Sequence, residues 1–400
     1  MNLKGNSAFL FTLFAFGTCF GQTTMNITAV LNDSIQTFNI QQEILYENSG
    51  EDTLTAIYLN DWANSYKDKS TPLAKRFAED YIRRFHFARE GERGFTKIYS
   101  ITDEKVQVYS WERPGGNPDL IRVHLPQPLL PGKKVTINLL YQVKVPSEKF
   151  TRFGYDDLGN YKLKYWYITP AVYDGKWQIY SDKNLGNQYA APANINIKLS
   201  TRPYLYVASP LKTERLVTED KYKTTYLSGE NIVTSDLFLT KTYRFDAILV
   251  NEKEVLTNLE DEELNPQMQG FILNRILKYL EQRLGSYPQE SIMVTREDYL
   301  NNPVYGLNQL PRFIRPFPDG FQYDIKQLKA ITSQYLKNTI LLNPRKEQWV
   351  YDAIQISLMQ DYVDTYYPKM KVLGSLSNII GVRWFHAADL EFNDQYPFLY

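Results

Sequence analysis

The sequence predicts a multidomain chain in which an all-β half is followed by a mainly helical α+β half. Short runs with alternating apolar residues, separated by turn residues, fill residues 23–252. From residue 253 onward the apolar residues recur every three or four positions, as they do along one face of a helix. With 43% hydrophobic residues among 400, the chain has enough apolar side chains for two cored domains.

The β half is expected to form a sandwich or a saddle-shaped sheet, because its strand candidates are short and regularly spaced. Pro-Gly turns at 114–116 and 131–132 separate some of them. One helical insertion is predicted at 73–87 from its apolar spacing. The strand candidates are 26–31, 37–40, 53–59, 106–109, 120–125, 134–141, 195–198, 205–208 and 243–250.

The second half is predicted to contain three long helices and a short strand at 291–295. Asn265-Pro266 is typical of a helix start and Gly285 of a helix end. A second helix is expected around 325–335, and a third runs from Asn343-Pro344 to about residue 367. Two apolar stripes on the third helix, one of which includes Trp349, predict burial on more than one side.

The N-terminus has the three parts of an export signal. Lys4 supplies a positive charge, residues 8–20 are apolar, and Gly21-Gln22 offers a small-residue cleavage point. We therefore assign residues 1–22 to a signal peptide and expect the mature protein in the periplasm or cell envelope. No second apolar run of membrane-spanning length follows. Cys19 is the single cysteine and lies inside this segment, so the mature chain would form no disulfide.

The charge balance and the C-terminal end each support one further expectation. The 45 basic and 45 acidic residues cancel, so no overall electrostatic attraction to nucleic acid or to acidic membranes is evident. The last residues, 394–400, are largely apolar, and the last helical region would lack packing partners. We therefore expect the second half, 253–400, to be incomplete and the chain to be a fragment of a longer product.

The strongest functional signal is an order of three segments in the second half: a Gly-Leu-Asn-Gln loop at 306–309, the helical segment 329–333 and the helical segment 349–352. Catalytic zinc sites use about three protein ligands, usually His and carboxylate. The chain has three histidines, and no two are close in sequence: His86, His124 and His386. The spacing is that of a zinc site, but the usual ligands are absent from it.

In this order and spacing the chain resembles the aminopeptidase N family of gluzincin metallopeptidases. The resemblance covers nearly the whole mature chain: 23–252 is similar to the family's N-terminal saddle domain and 253–400 to its thermolysin-like catalytic domain. Segments 125–132 and 166–170 carry the first likeness. Family members place a G-x-M-E-N loop before an H-E-x-x-H helix, whose two His side chains share one helix face, and a later Glu completes the zinc ligands.

The resemblance implies a role for each matching position, and this chain departs at most of them. The first His aligns with Lys329, the catalytic Glu with Ala330 and the second His with Ser333. The third ligand aligns with Asp352, the one position that still offers a carboxylate. In the substrate loop the candidate substrate-binding residues are Gly306, Asn308 and Gln309. Gly306 matches the family's Gly, but Gln309 stands where the family's Glu binds a peptide's amine, so amine recognition is expected to be weakened. No cofactor is expected, although active family members hold zinc.

Simpler structural roles exist for the same residues. Asp352 is expected to be half-buried and to form an ion pair with Lys329, because a lone buried carboxylate is costly. Ser333 is expected to be a packing or surface residue. His386 and His124 are interpreted as satisfied structural histidines.

Three functions remain open from the sequence. The leading hypothesis is an exported aminopeptidase N-like protein that has lost its zinc site, is non-catalytic, and binds a peptide or an envelope protein. The second is an active hydrolase, with catalytic groups beyond residue 400 or with a Ser–Lys pair at Ser333 and Lys329, which are one helical turn apart. The third is an envelope scaffold protein.

Overall fold

A computed structural model of the chain describes residues 23–183, 188–250, 252–259, 264–304 and 319–368. The helices there are α1 (Pro72–Glu79), α2 (Arg83–His86), α3 (Pro266–Leu284), α4 (Arg296–Asn301), α5 (Asp319–Thr339) and α6 (Pro344–Tyr366). The strands are β1 (Thr23–Asn32), β2 (Thr37–Glu47), β3 (Leu54–Asn60), β4 (Phe95–Thr102), β5 (Trp111–Glu112), β6 (Leu120–Leu129), β7 (Lys134–Lys144), β8 (Gly154–Tyr155), β9 (Tyr161–Leu163), β10 (Thr169–Pro170), β11 (Val172–Tyr173), β12 (Trp177–Gln178), β13 (Ala193–Thr201), β14 (Tyr206–Ala208), β15 (Lys212–Thr218), β16 (Lys223–Ile232), β17 (Leu237–Thr240), β18 (Asp246–Val250), β19 (Lys253–Thr257) and β20 (Ser291–Val294).

The first half is built on a seven-stranded sheet with the order β15-β16-β13-β1-β2-β7-β4. Strands β1 and β13 run parallel, and the other neighbours are antiparallel. Alternate residues of β1 are buried, from Met25 to Leu31, as period-two apolar patterning requires. They join one large core with residues from the smaller sheets β10-β3-β6-β5 and β14-β17-β9-β8, including the fully buried Ile57 and Val123.

The second half packs helices against the three-stranded sheet β18-β19-β20. A separate core lies there, with Ile276 from α3, Leu328 from α5 and Met359 from α6 among its fully buried side chains. Strand β18, which precedes residue 252, belongs to this sheet and pairs with β19. No helix in the described ranges has the length and apolarity needed to cross a membrane.

The predicted helix boundaries in the second half are confirmed by their caps. Asn265 Oδ1 accepts a hydrogen bond from the Met268 backbone N–H at 2.8 Å, and Gly285 ends α3 with a φ of 83°. Asn343 Oδ1 accepts from the Arg345 N–H at 3.0 Å, with Pro344 at the first helical position. The amide oxygens thus satisfy backbone donors that have no partner within the helix.

Three sequence predictions of local structure are wrong. The single helix at 73–87 is instead two helices, because the chain breaks at Tyr81, whose φ is 58°. Residues 106–109 follow a turn at 104–105 and contain one isolated bridge, from Val108 to Thr102, rather than a strand. Val106 also has a positive φ of 64°. Trp349 is 69% exposed, so one of the two stripes on α6 is not buried at its N-terminal end.

Gly154 in β8 provides a test of the tight packing between β8 and residues 146–148. Its φ is 136°, and a Cβ there would meet the carbonyl oxygen of Pro146 and lie 2.8 Å from the Glu148 nitrogen. Gly154→Ala is therefore expected to destabilise the fold by about 1–3 kcal/mol. Thermal melting would show this as a lowered Tm. Gly91→Ala is the matched control, because a Cβ at Gly91 has nothing within 4 Å, and an equal Tm for both variants would contradict the prediction.

Candidate functional site

A large cleft lies between the β half and the helical half. Its volume is about 2100 Å³. One wall comes from α1, α2 and residues 148–153 and 162–165 of the β half, and the other comes from α4, α5 and α6. A cleft between two packed layers is a common position for a ligand site.

The structure brings the four aligned positions together on one wall of this cleft. Lys329, Ala330 and Ser333 lie on α5 and Asp352 lies on α6, and all four line the cleft. Residues 329 and 333 share a helix face because they are four positions apart. The loop positions Gly306, Asn308 and Gln309 and the histidine His386 lie outside the described residues.

Lys329 does not form the expected ion pair with Asp352. The lysine is 2% exposed, and its Nζ donates to Asn302 Oδ1 and to the Pro303 carbonyl oxygen, both at 3.2 Å. The hydrogen-bond partners of Lys329 thus include two groups that directly follow α4 in the chain. Asp352 Oδ1 instead accepts from Gln348 Nε2 at 2.9 Å, one turn earlier on α6.

Ser333 is held by α6 rather than by Lys329. Gln355 Nε2 donates to Ser333 Oγ at 2.7 Å and to the Lys329 carbonyl oxygen at 3.0 Å. Within the described part of the chain, the Ser333 hydroxyl and the Lys329 ammonium share no hydrogen bond. A Ser–Lys catalytic pair requires that contact, so the geometry speaks against this version of the hydrolase hypothesis.

Two of the chain's histidines are described, and both lie away from these positions. His124 Nε2 lies 3.5 Å from Glu112 Oε1 on the β half. His86 is exposed on α2. In the ranges that the structure describes, no three His, Cys, Asp or Glu side chains are grouped so that they could hold a metal ion.

A buried ionic cluster next to these positions was not predicted. Lys164 of the β half lies with its Nζ 2.6 Å from Asp298 Oδ1 on α4 and 3.5 Å from Asp236 Oδ2 of the β half. Lys337 on α5 and Asp352 on α6 complete the cluster through longer-range electrostatic interaction. The one signal in the sequence was a Lys in the otherwise apolar run 163–168.

Burial and charge shift the pKa values of this cluster in different directions. Burial alone would lower the pKa of Lys164, but the carboxylates of Asp236 and Asp298 outweigh it and raise that pKa. Burial raises the pKa of Asp236 to about 6 against the attraction of Lys164. Burial acts on Asp298 in the same sense, but Lys164 and Lys337 hold its pKa below the ordinary value. Burial and repulsion by Lys164 lower the pKa of Lys337.

Comparison with solved structures shows that the fold is that of M1 zinc metallopeptidases. The M1 zinc metallopeptidase from Deinococcus radiodurans matches with a TM-score of 0.52 and 12% identity, covering 86% of this chain and 70% of that one. A mutant of the enzyme bound to a Tyr-Ser-Ala substrate matches with a TM-score of 0.53 and 10% identity over 93% and 78%. A two-domain mutant form bound to L-arginine gives 0.52 and 11% over 87% and 71%.

The other two comparisons find no relative. No protein-family model matches the chain, and no curated protein does. At identities near 10%, the structural likeness establishes the fold and leaves the chemistry to the residues of the cleft.

The raised pKa of Asp236 predicts a specific pH dependence of stability. Its value of about 6 in the folded protein lies above its ordinary 3.8. The folded state therefore binds this proton more tightly, so the group's contribution to stability is fully present below about pH 4 and is lost as the pH rises through about 6. Asp236→Asn removes this titration. As the pH rises from 4 to 7, the free energy of unfolding of the variant should therefore increase by about 1–3 kcal/mol relative to that of the wild type.

Thermal melting of both proteins from pH 4 to 8 measures this difference. Asp246→Asn is a matched control, because Asp246 is exposed on β18, and it should follow the wild-type profile. Parallel pH profiles for Asp236→Asn and the wild type would show that Asp236 does not titrate in this range.

Proposed function

We propose that this protein is an exported, non-catalytic homologue of the aminopeptidase N-like metallopeptidases and that its cleft binds a peptide or a segment of an envelope protein. The shared fold supports the relationship, and the residues at the four aligned positions support the loss of the zinc site. The signal-like residues 1–22, which lie outside the described ranges, are the basis for export.

The observation that carries the proposal is the set of side chains at 329, 330 and 333. A zinc ligand must offer a lone pair from a thiolate, an imidazole or a carboxylate. The Lys329 ammonium has donors only, Ala330 has no polar atom, and the Ser333 hydroxyl is already bonded to Gln355. Asp352 alone is a suitable ligand. These residues do not fit a zinc ion, and no general base stands at position 330.

A peptide is the ligand class that the cleft supports best. Its volume of about 2100 Å³ exceeds the roughly 300–1,000 Å³ of sites for single small molecules. The metallopeptidase with a Tyr-Ser-Ala substrate shares the fold over 93% of this chain. An extended chain in the cleft would contact both halves of the protein.

Zinc content and peptidase activity of the purified chain test the loss of catalysis. After mild dialysis, elemental mass spectrometry should find close to no zinc, and no chelator-sensitive cleavage of amino-acid amides should be detected. About one zinc per chain together with chelator-sensitive activity would overturn the proposal and make the enzyme the leading hypothesis.

The alignment of the four positions predicts that a zinc site can be restored. Lys329→His, Ala330→Glu, Ser333→His and Asp352→Glu, made together, should raise zinc retention at least tenfold, because two His one turn apart would share a helix face with a Glu beside them on α6. A matched control places the second His at Gln334 instead of Ser333, which turns it away from the first and should retain no zinc. Equal zinc in both variants, each folded by circular dichroism, would contradict the alignment.

A further inference from the structure

The charges that line the cleft are far from balanced, although those of the whole chain are. Among the described residues, twelve basic and five acidic side chains line the cleft, against 45 and 45 in the full sequence. A cleft with walls of one predominant sign concentrates the field and favours ligands of the opposite charge.

Most of the acidic side chains are already neutralised by neighbours within the cleft. Asp80 pairs with Arg76 at 3.0 Å. Lys162 Nζ lies 2.9 Å from both Glu148 and Glu297, and Lys164 forms an ion pair with Asp298. These pairs account for four of the five acidic side chains and use three of the twelve basic ones, so nine basic side chains of the lining remain outside them.

Several basic side chains of the cleft have no carboxylate partner. Within the described part of the chain, five exposed ones form neither an ion pair nor a side-chain hydrogen bond: Arg83, Arg84, Lys183, Arg244 and Arg296. They come from α2, from the segment between β12 and β13, from the segment before β18 and from the start of α4, so both halves contribute. Half-buried Lys337, deeper in the cleft, likewise has no carboxylate within ion-pair distance among the described residues.

Gln188 in the cleft lining has an unsatisfied amide. It is 6% exposed, and neither its Oε1 nor its Nε2 has a hydrogen-bond partner in the described ranges. Burial raises the pKa of the neighbouring Asp182 to about 6, and the Gln188 amide opposes that rise. No hydrogen bond of ordinary geometry joins the two side chains, and Asp182 Oδ1 is likewise without a partner in the described ranges. Buried amides are nearly always paired, so this one needs a partner that supplies both a donor and an acceptor. A peptide group does so.

We propose that the cleft binds an acidic peptide, with its backbone at Gln188 and its carboxylates at the unpaired Arg and Lys side chains. This deepens the proposed function and rests on it. Arg guanidinium groups hold carboxylates through two parallel hydrogen bonds, which suits Asp and Glu side chains. Trp349, 69% exposed on the same lining, offers an apolar surface to residues between the acidic ones.

Fluorescence polarisation with matched peptides on the full chain tests this inference. The probe is a labelled Glu-Phe-Glu-Leu-Glu pentapeptide, compared with versions in which Gln or Lys replaces every Glu. The Glu peptide should bind at least tenfold more tightly than the Gln version, and the Lys version should bind most weakly. Raising NaCl from about 0.05 M to about 0.5 M should remove most of the difference, because screening shortens the range of charge interactions.

Charge-removing variants locate the binding surface. Arg83→Gln with Arg84→Gln, and separately Arg244→Gln with Arg296→Gln, should each weaken binding of the Glu peptide about five- to tenfold while leaving the Gln peptide unchanged. The control removes two exposed charges outside the cleft, Arg215→Gln with Lys221→Gln, and should change neither. Gln188→Leu should weaken both peptides by a similar factor at all salt concentrations.

Each alternative outcome has a distinct meaning. Equal affinity for the Glu and Gln peptides would overturn the charge selectivity and leave peptide binding intact. No binding of any peptide would overturn both proposals. Tighter binding of a single-stranded oligothymidine of matched charge, lost in the same Arg variants, would show that the cleft takes nucleic acid and would also overturn the inference.

Discussion

Two ion pairs join α4 to the β half, and the more deeply buried one is formed by the ammonium group of Lys164. Lys164 is almost fully buried, with Asp236 of its own half on one side and Asp298 of α4 on the other. Among the described residues, the two large apolar cores lie within separate halves, and one small cluster that includes Phe153, Phe238 and Met293 contains residues from both. A buried cation without its carboxylates would cost far more than the pair gains, so the ionic contact fixes the position of α4 against the β half.

Helices α5 and α6 pack in the same apolar core as Tyr299 of α4, so the three helices lie against one another. Gln355 then joins α5 and α6 by donating to the Lys329 carbonyl and to Ser333 Oγ. In a zinc peptidase the corresponding helices would share a metal ion. Among the described residues of this chain, Gln355 connects α5 to α6 and Lys329 connects α5 to the end of α4.

What the sequence could predict was set by local rules. Caps at Asn265 and Asn343 placed two helices correctly, since an amide side chain before Pro satisfies donors within three residues. The break at Tyr81 and the partners of Lys329 could not be found this way. The first needs a backbone conformation that Tyr rarely adopts, and the second needs Asn302, which follows the last residue of α4. Contacts between elements decided the site, and periodicity carries no information on them.

The net charge of the whole chain, which is zero, likewise gives no information on how charged side chains are distributed in the cleft. Equal numbers of acidic and basic residues predicted no overall electrostatic preference. A ligand inside a cleft responds mainly to charges within about 10 Å, because salt screens the rest. Among the described residues of this lining, twelve side chains are basic and five are acidic, so the sum of their charges is positive. A few side chains of a cleft can therefore carry a net charge that differs from the charge of the whole chain.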